Sequence, residues 1–399
     1  MTNSDRSSPP PSSIRTSGST STSRPTHLLN FEYSTQAFLN NWFAEDYASA
    51  RQGFLTLCEQ RDRAVQTFKH PLTGPNDLAI GTDVALVGDP NAENYVLLVS
   101  GTHGVETLVG SGCQVAWLDR YTAEDLPENT AVLLIHAMNP YGAAWRSRYT
   151  EDNIDLNRNF VDHRKPYPEN PDYATLHQAF SCRSTEGEEK TKAEKSITDF
   201  CERHGKPAYV RALCQGQYTH PDGLGFGGQS ASWSNRTLHE ILAHYSSHAQ
   251  RIAVIDYHSG IGPYGYGQLI NRDPEGSLAL ARARQWYGQG LVAAEAKTDI
   301  HYPVAGGLCS GVAAALPKAQ VTGVLLEDGT YDFDQALKAF RSHAPLFEPL
   351  QIDKATAEQL RREIQAFFYP ACDDWLEMVW SRSEQVIRQT LVGIGGGSS

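Results

Sequence analysis

The sequence predicts an α/β fold, a mixed and mostly parallel central sheet with helices on both faces. Three observations carry this. Short, almost continuously apolar runs alternate with segments of helical periodicity along most of the chain, as strands buried on both faces do. The chemically suggestive polar residues follow those runs directly, and such sheets place their ligands at the carboxyl ends of strands. The length of 399 residues, 40% hydrophobic and 20% charged, is that of an ordinary globular protein. It allows one large domain or two smaller ones, and the alternation favours one.

Residues 1–28 are rich in Ser, Thr and Pro, with Ile14 and Leu28 almost the only large aliphatics. Such a segment cannot bury enough surface to offset its ordering entropy, so it is expected to be a disordered tail. The candidate globular domain spans 29–392, and Gly393–Ser399 is expected to be a second flexible tail. Spaced aromatics from Phe38 to Phe54 predict helix within Ser34–Ala64. Strands are expected at Leu78–Val87, Tyr95–Ser100, Thr130–Ala137, Arg251–Tyr257, Gln268–Asn271 and Gly323–Glu327. Helices are expected at Val105–Tyr121, Ala193–His204, Ser234–Ser247, Ser277–Ala294, Tyr331–Ser342 and Thr356–Phe368. Residues 162–235 break this rhythm with a charged run, Glu186–Lys195, and a Gly-rich stretch, Gln215–Gly228. They read as an insertion that caps a site, with the Gly-rich stretch as a mobile lid.

Composition excludes several function classes. Net charge is -12 and no Lys/Arg cluster stands out, so neither nucleic acid nor an anionic membrane is an expected partner. No apolar run reaches the roughly eighteen residues of a membrane span. The N-terminus lacks the apolar core of a secretory signal. Seven scattered cysteines without a C-x-x-C pair suggest reduced thiols and a cytoplasmic location. No G-x-S-x-G elbow is present, and no G-x-G-x-x-G opens the first helix after a strand. Serine-hydrolase and dinucleotide-binding readings therefore lack their motifs.

The most informative feature is His103-Gly104-Val105-Glu106, directly after the run Tyr95–Ser100. On a turn or first helical turn, positions i and i+3 share a face. An imidazole and a carboxylate so placed can hold a divalent metal, and a catalytic zinc commonly takes two His and one Glu. Four further pieces follow. They are Asn139-Pro140-Tyr141-Gly142, the stretch Arg148–Phe160 containing Asp155-Leu156-Asn157-Arg158-Asn159, Asp256-Tyr257-His258 ending one apolar strand, and Leu325-Leu326-Glu327 ending another.

These motifs in this order resemble the zinc carboxypeptidase superfamily, the carboxypeptidase A-like funnelins, and in detail a short, poorly characterised branch of domain-of-unknown-function type. The resemblance covers roughly 75–335 and implies a carboxypeptidase A-like architecture. It implies one zinc per chain, held by His103, Glu106 and His258. Asp155 matches the carboxylate that takes the other ring N–H of the first His ligand. Asn157 and Arg158 match the pair that holds a substrate carboxylate, for which a guanidinium fork is well shaped. Arg148 matches the arginine that polarises the scissile carbonyl, and Arg146, which follows a Trp, is its rival. Glu327 matches the general base.

The implied activity is cleavage of an amide beside a free carboxylate. Two enzyme readings share that site, a carboxypeptidase on small peptides and an amidohydrolase of N-acyl amino acids. A third reading, a zinc-free binding protein that kept the fold, is separated from both by stoichiometric metal. Single residues are open to structural readings too. Glu327 can be a structural carboxylate at a helix N-terminus, and Arg158 can pair with Asp155 or Asp162. The family's capping tyrosine has no clear counterpart, with Tyr302 and Tyr218 as candidates, and the side-chain specificity pocket is not readable. Oligomeric state is not legible either.

Overall fold

The computed structural model describes residue 39 and residues 41–293, 304–347 and 352–396. The tail at 1–28, the last three residues 397–399, and the candidate Tyr302 lie outside the described residues. Among the described residues eight strands form one sheet: β1 (Val65–Thr73), β2 (Ala79–Gly88), β3 (Asn94–Val99), β4 (Thr130–His136), β5 (Arg251–Ser259), β6 (Gly267–Asn271), β7 (Leu291–Ala293) and β8 (Gln320–Asp328). Their order is β1-β2-β4-β3-β5-β8-β6-β7. The pairs β4–β3, β3–β5 and β5–β8 are parallel, while β1–β2, β2–β4 and β6–β8 are antiparallel. The sheet is thus mixed with a parallel centre, as expected.

The helices are α1 (Tyr47–Gln60), α2 (Thr107–Arg120), α3 (Pro140–Ala144), α4 (Pro171–Phe180), α5 (Gly187–His204), α6 (Lys206–Cys214), α7 (Trp233–Tyr245), α8 (Leu278–Tyr287), α9 (Leu308–Ala315), α10 (Phe333–Arg341), α11 (Lys354–Phe368) and α12 (Asp373–Gly395). The central strands divide their side chains between two cores, because successive residues face opposite sides. Val96, Leu98, Val132, Leu134, Ala253 and Ile255 pack with α2 and α12. Tyr95, Leu97, Val99, Leu133, Ile252 and Val254 pack with α7 and α9.

The structure adds elements to those expected from the sequence. The edge strand β1 reads Val-Gln-Thr-Phe-Lys-His-Pro-Leu-Thr and is half-exposed, so its apolar residues do not form a run. The helix expected over Ser277–Ala294 stops at Tyr287, where Gly288 takes φ 74, and its last part becomes β7. Helix α12 continues to Gly395, so residues 393–395 are helical rather than tail. Its apolar positions Trp375, Leu376, Val379, Trp380, Val386 and Ile387 repeat at three- and four-residue spacing and are buried.

The segment 162–235 holds α4, α5 and α6, which share a small apolar core with Tyr149, Leu224, Leu337 and Phe340. The Gly-rich stretch behind them is pinned. Asn153 Nδ2 donates to Pro221 O and Gly223 O, Asn170 Nδ2 to Gly216 O, and the Tyr218 hydroxyl to Arg158 O. These contacts join the stretch expected to act as a lid to Asn153, Arg158 and Asn170. Among the described residues no helix is long and apolar enough to cross a membrane.

Candidate metal centre and its cavity

The site lies where β3, β5 and β8 end. After β3 the chain turns at Gly101 (φ 74), then enters a short 3-10 turn, Gly104–Glu106. Both glycines answer to space. A Cβ on Gly104 would collide with the Gly142 carbonyl carbon, and one on Gly101 would lie 2.5 Å from Thr107 Oγ1. The His-Gly-Val-Glu and Asn-Pro-Tyr-Gly motifs are therefore packed backbone to backbone. Asn139 fixes the second of them by accepting from Gly142 N–H at 2.9 Å.

His103, Glu106 and His258 converge in full burial, with ligand atoms all within 4.8 Å of one another. The two imidazole Nδ1 atoms are 3.1 Å apart, and Glu106 lies 3.0 Å from His103 Nδ1 and 3.0 Å from His258 Nδ1. In a tetrahedral zinc site with bonds near 2.0–2.1 Å, ligand atoms are separated by about 3.3 Å. The donor set of two neutral imidazoles and one carboxylate fits such a metal both chemically and in spacing.

The far side of each imidazole is held. His103 Nε2 meets Asp155 Oδ1 at 3.1 Å, and His258 Nε2 meets Asp256 Oδ2 at 2.8 Å. Thr102 Oγ1 donates to the other Asp256 oxygen at 2.6 Å. Each carboxylate aims the opposite ring nitrogen, Nδ1, at the centre. Asp155 stands in its expected place, whereas sequence reasoning assigns Asp256 no role. The signal that could have found it is the D-x-H spacing on a strand, since positions i and i+2 share a face.

Arg148 is buried and bridges the cluster. Its Nε donates to Asp155 Oδ2 and its Nη1 to Glu106 Oε1, both at 3.1 Å, and its guanidinium lies 4.9 Å from the Phe340 ring centroid. Burial opposes ionisation of Glu106, but the charges and hydrogen bonds of His103 and His258 outweigh it and hold the carboxyl far below its usual range. Burial likewise opposes charging of His258. The Asp256 carboxylate, followed by Glu106, overrides it and lifts that imidazole to about 10, so a metal taken up here would displace that proton and leave the neutral ligand.

Glu327 stands beside this cluster as the register partner of His258 in the β5–β8 ladder. It accepts from Ile261 N–H at 3.1 Å. Burial, then the neighbouring Glu106 charge, raises its pKa above the ordinary carboxylate value. Glu327, the three candidate ligands, Arg148, Asn157 and Arg158 line one cavity of about 70 Å³.

Arg158 is not ion-paired with Asp155 or Asp162; it binds backbone carbonyls instead. Its Nη1 donates to Asn157 O and Nη2 to Cys214 O, both at 2.7 Å, and Nε to Gln215 O at 3.1 Å. Five donors less three leaves two. Asn157 Oδ1 accepts from Leu308 N–H at 3.0 Å, so its NH2 end is the donor that remains. Arg146 is turned away. It pairs with Glu358 Oε1 at 2.8 Å and lines a different cavity, of about 1030 Å³. Between the rivals, Arg148 is the one at the cluster. Tyr218 is buried, stacked on Tyr167 at 4.9 Å, and does not line the metal-site cavity.

A family model described as a protein of unknown function, DUF2817, matches residues 43–382. No curated protein matches the sequence significantly. Solved structures similar to this one include a candidate metallopeptidase from Shewanella amazonensis SB2B, 15% identical, covering 77% of this chain and 97% of that one with a TM-score of 0.40. Another is a succinylglutamate desuccinylase/aspartoacylase from Rhodobacter sphaeroides, 14% identical, covering 71% and 63% with a TM-score of 0.32. A third is thrombin activatable fibrinolysis inhibitor, 12% identical, covering 83% and 76% with a TM-score of 0.37. By the match over most of its length, the chain belongs to the DUF2817 family.

Proposed function

We propose that this protein is a zinc-dependent amide hydrolase that cuts beside a free carboxylate, acting on a small peptide or an N-acyl amino acid. The observation that carries the reading is one small cavity lined by His103, Glu106 and His258, by Glu327 beside them, and by Asn157 with Arg158. His103, Glu106 and His258 would hold the metal. When bound, such a metal polarises a carbonyl and makes water more acidic near neutral pH.

The chain's own residues do the rest. Glu327 accepts a proton from the attacking water and returns it to the leaving nitrogen. Its raised pKa brings its proton affinity closer to that of the groups it serves. Arg148, held between Asp155 and Glu106, keeps a positive charge where the carbonyl oxygen becomes negative. The two remaining Arg158 donors and the Asn157 amide take the substrate carboxylate. Peptide and N-acyl amino acid present the same amide to this set.

The test is metal-loaded protein incubated with mixed dipeptides and N-acyl amino acids, with products identified by mass spectrometry. Cleavage of an amide adjacent to a carboxylate, lost when that carboxylate is esterified, is the expected result. Equal turnover of free and blocked compounds would remove Arg158 from substrate recognition.

A further inference from the structure

Helix α10 ends beside Arg148, and an imidazole just past that end binds the arginine's backbone. His343 follows the last residue of α10, Arg341, by two positions and is fully buried. Its Nδ1 lies 3.2 Å from Phe340 O, and its Nε2 lies 3.3 Å from the backbone N of Arg148. A carbonyl oxygen can only accept, so Nδ1 carries the proton and Nε2 is left as an acceptor. An acceptor is what the Arg148 N–H requires. Burial, followed by the Arg148 charge, pushes this imidazole down to about 4, so the acceptor persists at neutral pH.

The bond bears on where the Arg148 guanidinium stands. Arg146 takes φ 51, in the left-handed region, so the chain turns sharply between the two arginines. The Arg148 carbonyl accepts from Gly104 N–H at 3.3 Å and from Asn139 Nδ2 at 3.4 Å, which ties it to the turn carrying His103 and Glu106. His343 takes the N–H of the same residue, so both of its backbone polar groups are fixed. Phe340, in the last turn of α10, lies with its ring 4.9 Å from the guanidinium. One helix end thus holds Arg148 by backbone and by side chain. The Nδ1 bond alone would suffice to brace the end of α10, whereas the Nε2 bond serves only Arg148.

We propose that His343 is a positioning residue, which holds the Arg148 backbone so that its guanidinium stands where the carbonyl oxygen becomes negative; this rests on the amide-hydrolase reading above.

The experiment measures kcat and KM per folded, metal-loaded molecule on N-acetyl-X and Ala-X compounds, X being Ala, Glu, Leu, Lys or Phe. His343→Asn keeps a donor for Phe340 O but falls short of the Arg148 N–H, while His343→Gln brings a carbonyl oxygen to the Nε2 position. His343→Asn should lower kcat by roughly 10- to 100-fold, the scale of misplacing a group at the reacting atoms by about 1 Å. KM should change little, because Arg148 acts on charge that develops in the transition state. His343→Gln should recover most of the loss, and metal content should stay the same in both. In an Arg148→Ala background His343→Asn should cost little more, since the two act as one unit. Where His343→Asn folds poorly, His343→Phe takes its place against Gln, because it fits the aromatic surroundings of Tyr149 and Phe368 and offers no acceptor. An acceptor-free variant as active as His343→Gln would overturn the positioning role and leave the hydrolase reading intact. Wild-type protein that cleaves neither series would overturn both.

Discussion

Replacing Glu327 with Gln should separate activity from stability, moving them in opposite directions. Gln keeps the shape and an oxygen for the Ile261 N–H, which Glu327 holds at 3.1 Å. It removes the carboxylate proposed as the proton acceptor. A positioned general base contributes about 10²- to 10⁴-fold, or about 2.7–5.4 kcal/mol of barrier, so kcat should fall by at least about 100-fold. The three ligand side chains keep their partners, so metal content should not change.

Stability should rise, because folding carries this carboxyl into a buried place beside Glu106 and raises its pKa. The sign follows from linkage. Between the unfolded and the raised folded pKa, the native state binds more protons than the unfolded one, so wild-type stability falls as pH rises through that window. The neutral Gln side chain of the variant carries no such penalty. Its advantage in chelator-treated protein should therefore grow from about pH 4.5 upward and then level off. Steady-state kinetics, metal analysis and denaturant titrations across pH measure the three quantities. Near-wild-type turnover would refute the assignment of the base, and a lower stability at neutral pH would refute the account of the burial.

Three more outcomes follow from the same geometry. Purified protein should carry about one zinc per chain, and His258→Ala should lose most of it because two ligands leave an incomplete site; elemental analysis showing full occupancy in both His103→Ala and His258→Ala would exclude the centre. Arg158→Ala should lower both kcat/KM and the unfolding free energy, the latter by about 2–4 kcal/mol from three lost carbonyl contacts; unchanged denaturation midpoints would mean the clamp holds nothing. Burial lowers His136 to about 4, where it sits against Ser111 and stacks on Phe54. Its neutral form is kept in the fold, so stability from it is present above about pH 6.5 and is lost as pH falls towards 4, at up to about 1.4 kcal/mol per pH unit. His136→Gln should flatten that limb of the stability profile.

The legible part of this protein is its centre. Strands β3, β4, β5 and β8 are buried on both faces, so their apolar runs stand out, and the site residues follow those runs. His103, Glu106 and His258 meet because parallel strands end at one edge. What periodicity misses has other causes. β1 is an edge strand whose exposed face dilutes its pattern. The pairing of β2 with β4, and not with β3, its neighbour in sequence, is a choice that local pattern does not reveal. The choice between Arg146 and Arg148 needs side-chain direction, because two residues in a tight turn can point to opposite sides. The role of Arg158 in bracing Cys214 and Gln215 is hidden for the same reason, since carbonyl partners leave no mark on composition.

Helix α12 bears on how the chain reaches this state during synthesis. Trp380 meets Trp42 at 5.6 Å, Arg388 donates to the Tyr121 hydroxyl, Ser383 pairs with Tyr257, and Trp375 donates to Gly329 O. One late segment thus touches the beginning, middle and end of the sheet's scaffold. Until residues 373–395 leave the ribosome, the α2 side of the sheet lacks the part of its cover that α12 supplies, including the partner of the Tyr257 hydroxyl. Contacts of such wide sequence separation are slow to form, and an uncovered face of this kind is prone to aggregate. A nascent chain stalled before α12 should therefore engage chaperones and resist compaction, although His103, Glu106 and His258 have already been made.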